Sequence, residues 1–160
     1  MPSLDPPDLR LTSPRAPEAI SCLQAYYSEL ASRFPGGFDV SLSADPEASA
    51  MESPRGAFWV AWSAGTAIGC CGLKGDGSAT GEVKRLWVSP AARGMGLARR
   101  FMETCEAESA KLGMTRLRLD TNSALPEAVA MYHRLGWTEI ERFNDDPYPD
   151  VFFEKAIPPA

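Results

Sequence analysis

Apolar positions along the chain change period, and each change marks an element. Ile20, Leu23, Tyr27 and Leu30 recur at helical spacing, which predicts a helix over Pro17–Arg33. The proline and paired glycines of FPGGFD, residues 34–39, stop it. Ahead of it, residues 9–11 read as a short strand. Residues 39–56 are polar and loop-like, with room for a short helix around 46–51. AFWVAW (57–62) and AIGCCGL (67–73) are near-continuous apolar runs joined by a tight SAGT turn, as two buried strands would be. After the turn KGDGSATG, EVKRLWV (82–88) predicts a third strand. Leu97, Phe101, Cys105 and Leu112 lie along one side of a helix that Gly113 is placed to end. TRLRLDT alternates as a strand does, 127–135 reads as a short helix, WTEIERF as a further strand, and DVFFEKAI as the last.

A meander of strands feeding a strand–helix–strand–helix–strand run predicts a mixed α/β fold. The 160 residues, 44% hydrophobic and 23% charged, suit one folded domain spanning 1–160 with proline-rich, frayed ends. A formal net charge of −5 argues against nucleic acid and anionic membranes as partners. No apolar run approaches the roughly 20 residues needed to cross a bilayer. The amino terminus MPSLDPPDLR lacks a signal-peptide core, which predicts a cytoplasmic protein. Cys22, Cys70, Cys71 and Cys105 show no CxxC spacing, so buried reduced thiols are expected rather than a disulfide or metal site. Cys70 and Cys71 should point to opposite faces of one strand.

Gly94 and Gly96 stand at the front of the helix that follows EVKRLWV. Glycine costs a helix about 1 kcal/mol relative to alanine, so two in one turn require a reason. A helix start offers unpartnered N–H groups and partial positive charge, and without a Cβ a bulky anion can approach them closely. Arg93 adds a full charge, and the combination suits a phosphate or pyrophosphate. A P-loop would need lysine and serine or threonine where Leu97, Ala98 and Arg99 stand, and a dinucleotide fingerprint would need glycine at Arg99. A plain glycine-rich surface turn is the remaining alternative.

The wider pattern V-x-P-x-x-R-G-x-G-x-A, Val88 through Ala98, resembles the acetyl-CoA pyrophosphate loop of the GNAT superfamily of N-acetyltransferases. AVAMYHRLGW, 128–137, resembles the second signature of that superfamily, with Met131 in place of leucine and Trp137 in place of phenylalanine. The two stand in the family's order, separated by a helix and a strand, and the resemblance covers residues 57–155. The closing NDDPYPDVFFEK resembles a subgroup of small bacterial GNAT enzymes. One departure concerns the asparagine that often precedes the second signature: Leu125 stands there, with Asn122 the nearby residue that could replace it.

The resemblance implies a central mixed sheet of about six to seven strands, mostly antiparallel with one splayed parallel pair, flanked by about four helices. It implies acetyl-CoA as co-substrate and acetyl transfer to a primary amine by direct attack in a ternary complex; the single histidine, His133, argues against a metal site. Backbone groups of Leu86, Trp87 and Val88 would pair with pantetheine like an added strand, the Val88 N–H facing the thioester oxygen. The backbone of Arg93, Gly94, Met95, Gly96, Leu97 and Ala98 would hold the pyrophosphate. Tyr132 matches the tyrosine whose hydroxyl protonates the departing thiolate, and a buried core tyrosine is the plainer reading.

Only about one alkyl amine in a thousand is neutral at pH 7, so a carboxylate that takes the proton helps the reaction. Glu82 holds the position that several GNAT enzymes give their base, with Asp120 and Asp145 in reserve and a surface glutamate the alternative. His133, adjacent to Tyr132 on the helix, points elsewhere by about 100° and reads as a surface residue.

The acceptor site should form from Tyr26, Tyr27, Glu29 and Phe34 on one side and Trp87 and Asn122 behind, with Asp145, Asp146 and Tyr148 opposite. Aromatic and acidic groups together suit a cationic small-molecule amine, although core aromatics and solvated acids would leave the same trace. Two other functions stay open: a catalytically silent acyl-CoA-binding module, and an acetyltransferase for protein N-termini or lysines. A homodimer is also left open.

Overall fold

The computed structural model describes residues 6–39 and 49–160. After β1 (Asp8–Leu11), the helix α1 runs over Pro17–Arg33, the range that its pattern predicts. Pro17 opens it at a position where a missing N–H costs nothing. Its buried stripe runs through Ala19, Cys22, Leu23 and Leu30. Ile20 lies off that stripe and is 44% exposed, so it does not belong to the face that spacing alone assigned to it.

The hairpin β2 (Ala57–Ser63) and β3 (Thr66–Lys74) turns at Ala64 and Gly65, both with positive φ, which gives a two-residue turn the twist a hairpin favours. β4 (Thr80–Val88) follows, then α2 (Leu97–Lys111), β5 (Arg116–Thr121), α3 (Pro126–Arg134), β6 (Thr138–Ile140) and β7 (Val151–Ala156). Leu112 falls just past α2, at its C-cap, and is 38% exposed. Among the described residues there are thus three α-helices, with single 3-10 turns at Ser49–Met51 and Pro90–Ala92. The short helix expected around 46–51 is represented by the first of these turns; residues 46–48 lie outside the described range.

Among the described residues seven strands form one sheet in the order β1-β2-β3-β4-β5-β7-β6, in which only β4 and β5 run parallel. Both faces are covered, which is why β2 and β3 read as unbroken apolar runs. Period two then sorts their residues. Phe58, Val60 and Cys70 pack with α1, whereas Trp59, Ala61 and Cys71 join the core beneath α2. Adjacent cysteines thus face opposite layers, and all four cysteines are free and buried.

β6 is shorter than WTEIERF suggests because the chain leaves the ladder after Ile140. The Arg142 guanidinium then organises the following loop, donating to the carbonyls of Asp146 and Pro149 at 3.1 and 2.8 Å.

Candidate active site

β4 pairs with β5 only through Thr80, Gly81 and Glu82, opposite Arg116, Leu117 and Arg118. Beyond Glu82 the two strands part, while β5 stays paired to β7 as far as Thr121 opposite Val151. On its other edge β4 bulges against β3, with Arg85 at φ 57°. A bulge shifts the phase of a strand and re-aims its side chains. Val83 packs toward α2, and Lys84 takes the other face; past the bulge, Leu86 and Val88 return to the α2 side and Trp87 packs toward α1.

The same alternation directs the backbone. The Ser89 N–H donates to the Ile68 carbonyl of β3 at 2.8 Å, so the N–H and C=O of Val88 face away from β3, into the gap. Those of Leu86 share that edge, and those of Trp87, opposite Cys70, turn back to β3. Of the three backbones expected to line the gap, Leu86 and Val88 do so.

A groove of about 560 Å³, within the usual range for ligand sites, continues from this gap to the start of α2. Gly94 and Gly96 sit there at φ 85° and 76°, a backbone region that only glycine enters readily, and each would aim a Cβ into open space. Glycine is therefore required by the backbone conformation as well as by closeness of approach. The first bond of α2 runs from the Arg100 N–H to the Gly96 carbonyl at 3.1 Å, so Leu97, Ala98 and Arg99 begin the helix without intrahelical acceptors. These donors, the two bare αL turns and the groove beside them fit a phosphate-bearing ligand. Met95 is exposed and does not line the groove; any part it takes is through its backbone.

Arg93 is half-exposed and turned along the groove. Its Nε donates to the Val88 carbonyl at 3.0 Å, and its Nη2 pairs with Glu29 of α1 at 2.5 Å. Glu29 also meets Arg33 at 3.7 Å, and Arg33 grips the Glu127 carboxylate of α3 with both terminal nitrogens. That grip holds the Glu127 carboxyl below its ordinary value and raises Arg33.

A second cavity, about 150 Å³, opens where β4 and β5 diverge. Tyr26, Tyr27, Phe34, Asn122 and Tyr148 line it together with Tyr132, and Trp87 lines only the groove. Five residues border both spaces: Tyr26, Leu30, Leu86, Leu125 and Ala128. Leu125, where the family pattern often has asparagine, is thus at the junction. Asn122 holds loops in place: its Nδ2 donates to the Tyr148 carbonyl at 2.6 Å and its Oδ1 accepts the Ala124 N–H at 2.8 Å.

At the cavity's charged end, Lys84 Nζ lies 3.5 Å from Asp120 Oδ1 and 3.8 Å from Glu82 Oε2. Asp120 borders the cavity and Glu82 does not; Asp146 borders it and Asp145 does not. Tyr132, held edge-on to Trp137 and tilted against Phe153, is buried at 6% exposure. Burial, reinforced by Tyr26 nearby, pushes its hydroxyl well above the ordinary tyrosine value, so it keeps its proton. Burial raises Tyr26 likewise. His133 is exposed, edge-on to Phe153 and 3.8 Å from Glu139, away from both spaces.

Sequence reasoning missed Lys84, Phe38 and Asn144. Period two along EVKRLWV places Lys84 on the face of Glu82, so that signal was present. Asn144, whose Nδ2 donates to Asp120 Oδ2 at 2.7 Å, arrives through a loop contact that carries no local signal.

Comparison with known proteins agrees with this geometry. The chain is 35% identical over 112 residues to an IAA acetyltransferase of Azospirillum brasilense, covering 67% of this chain and 72% of that protein. Its fold matches a GNAT acetyltransferase from Staphylococcus aureus Mu50 with a TM-score of 0.80 at 15% identity, over 94% of this chain and all of that one. It also matches a phosphinothricin acetyltransferase from Sinorhizobium meliloti, solved with AcCoA, with a TM-score of 0.69 at 17% identity, over 94% and 88% of the two chains. The sequence pattern of the GNAT acetyltransferase family itself spans residues 23–137, from within α1 through both glycine signatures to Trp137. With the splayed parallel pair and the bare start of α2, that match makes this chain a member of the GNAT family of acetyltransferases.

Proposed function

We propose that the protein transfers an acetyl group from acetyl-CoA to a primary amine, with no metal and no acyl-enzyme. The observation that carries this reading is the meeting of two spaces at Tyr26, Leu30, Leu86, Leu125 and Ala128, one with an anion-binding end and the other with a carboxylate and a protonated tyrosine. When bound, acetyl-CoA supplies an activated thioester. The α2 start, from Arg93 to Ala98, would hold its pyrophosphate, and the Leu86 and Val88 backbones its pantetheine arm. The Val88 N–H would face the oxygen on which negative charge grows.

The proton inventory favours Asp120 over Glu82 as the base. Asp120 borders the cavity one alternation beyond the last parallel pair, whereas Glu82 stands behind Lys84. In the balanced step the amine nitrogen bonds to the acetyl carbon and the carbon–sulfur bond breaks. The ammonium would first lose one proton to Asp120, the Tyr132 hydroxyl would protonate the sulfur, and the second proton that the nitrogen sheds as it becomes an amide would restore the Tyr132 hydroxyl.

Steady-state release of free CoA thiol, followed across a panel of small primary amines, tests the reading. Amine-dependent release is expected. Tight acetyl-CoA binding without release from any amine would mark the protein as a silent acyl-CoA-binding module.

A further inference from the structure

We propose that the acceptor is a monoamine carried on a short arm from a single aromatic ring. The inference rests on the acetyl-transfer reading above and goes on to name its substrate class.

Three observations lead there. The first is the wall of the acceptor cavity. Tyr27 and Phe38 lie near-parallel with centroids 5.5 Å apart, Phe38 and Tyr148 are 4.4 Å apart, and Phe34 and Tyr148 are near-parallel at 5.8 Å. All four line the same space, which gives a flat apolar body many ring contacts. Phe38 is as much part of this wall as Phe34, although it lies beyond the helix in the FPGGFD loop.

The second is size. The cavity's 150 Å³ is about the volume of an apolar cavity that takes up one benzene molecule. It admits one ring, with a short arm running toward the groove that opens from it.

The third is charge. Two carboxylates, Asp120 and Asp146, border the cavity together with two cations, Lys84 and Arg85. Asp120 is met by Lys84 on one oxygen and Asn144 on the other, and Asp146 accepts the Tyr148 N–H at 3.1 Å. One ammonium can join Asp120, but Lys84, shared between Asp120 and Glu82, stands beside it. A polyamine would bring a further charge toward the Lys84 ammonium that borders the same cavity.

A polypeptide acceptor meets a different obstacle. The Tyr148 hydroxyl accepts the Asp39 N–H at 2.5 Å, tying the loop after α1 to the loop before β7 beside the cavity. A chain continuing outward from its amine would have to part that tie.

An arylalkylamine satisfies all three. Its ring lies against Phe34, Phe38 and Tyr148, its arm passes Leu30, and its nitrogen reaches Asp120 near the junction with the groove.

The test uses the full-length protein at saturating acetyl-CoA and reads CoA thiol release with phenethylamine, benzylamine, ethylamine, putrescine, spermidine and an unblocked alanyl peptide. Phenethylamine or benzylamine should exceed each of the other four by at least about tenfold in kcat/KM. Comparable or better turnover of any of those four overturns the ring assignment and leaves acetyl transfer standing. Release from no amine overturns acetyl transfer itself, and the acceptor with it. In Phe38→Leu the ratio of kcat/KM for phenethylamine to that for ethylamine should fall about tenfold, and an unchanged ratio overturns the proposal. Should that variant fail to fold, Phe34→Leu carries the same ratio test.

Discussion

Arg93 donates its Nε–H to the carbonyl of Val88, the residue whose backbone faces the gap between β4 and β5. The cation of the pyrophosphate signature is thus turned along the groove, with Glu29 of α1 as its anchor. For Arg93 to reach a phosphate, that ion pair must open. Half-exposed pairs of this kind contribute roughly 0.2–1 kcal/mol. Glu29→Gln should therefore tighten acetyl-CoA binding by up to about fivefold, a gain that shrinks as salt is raised. Calorimetric titration at low and high salt reads both effects, and weaker binding in the variant would show that Glu29 assists the cofactor.

The αL turn at Gly96 makes a second prediction. A β-branched residue at φ 76° is strained by at least about 1–2 kcal/mol and would crowd the anion as well. Gly96→Val should weaken acetyl-CoA binding by more than about tenfold, and Gly96→Ala by less. Because the ideal Cβ meets no protein atom, the fold should survive both changes. Unchanged affinity in the valine variant would move the pyrophosphate away from the α2 start.

Much of this arrangement was legible before any coordinates. α1 runs over Pro17–Arg33 as its spacing predicts, and the strand cores of β2 to β5 and β7 stand where alternation or apolar runs put them. These are local signals, fixed by period, proline and glycine. What escaped is set by contacts distant in sequence. Glu82 is a candidate base because it begins EVKRLWV and holds the position several GNAT enzymes give theirs, and only the extent of the β4–β5 pairing shows that the strands part just after it. The bulge at Arg85 leaves no sequence mark, yet it decides that Leu86 and Val88, and not Trp87, offer their backbones to the gap. Asn144 meets Asp120 through a loop that Arg142 shapes, and hydrophobic period is silent on such loops.

Tyr132→Phe removes one oxygen from a ring already packed against Trp137 and Phe153, so stability and acetyl-CoA affinity should change little. Turnover should fall by about one hundred- to ten-thousandfold if the hydroxyl is the proton donor. Burial holds that hydroxyl in its protonated form above the ordinary tyrosine value, so raising the pH to about 10 should not titrate it away. Wild-type kcat should accordingly show no alkaline decline from this group below that pH. Wild-type turnover in the phenylalanine variant would reduce Tyr132 to a packing residue.

The last prediction separates the two carboxylates that flank Lys84. Asp120 lies 3.5 Å from the Lys84 ammonium and borders the cavity; Glu82 lies 3.8 Å from the same ammonium, outside it. If Asp120 takes the proton, Asp120→Asn should lower kcat/KM by about a hundredfold or more near pH 7. Activity should then recover partly toward pH 10, where more of the amine is already neutral. Glu82→Gln should cost less than about fivefold and leave the shape of the profile intact, because it alters only one of two partners of Lys84. Both variants should bind acetyl-CoA normally, since neither residue lines the groove. The measurement is a full pH–rate profile of the three proteins with one good acceptor. A large loss in Glu82→Gln beside a near-normal Asp120→Asn would return the base to Glu82, acting on the amine from behind Lys84 through water.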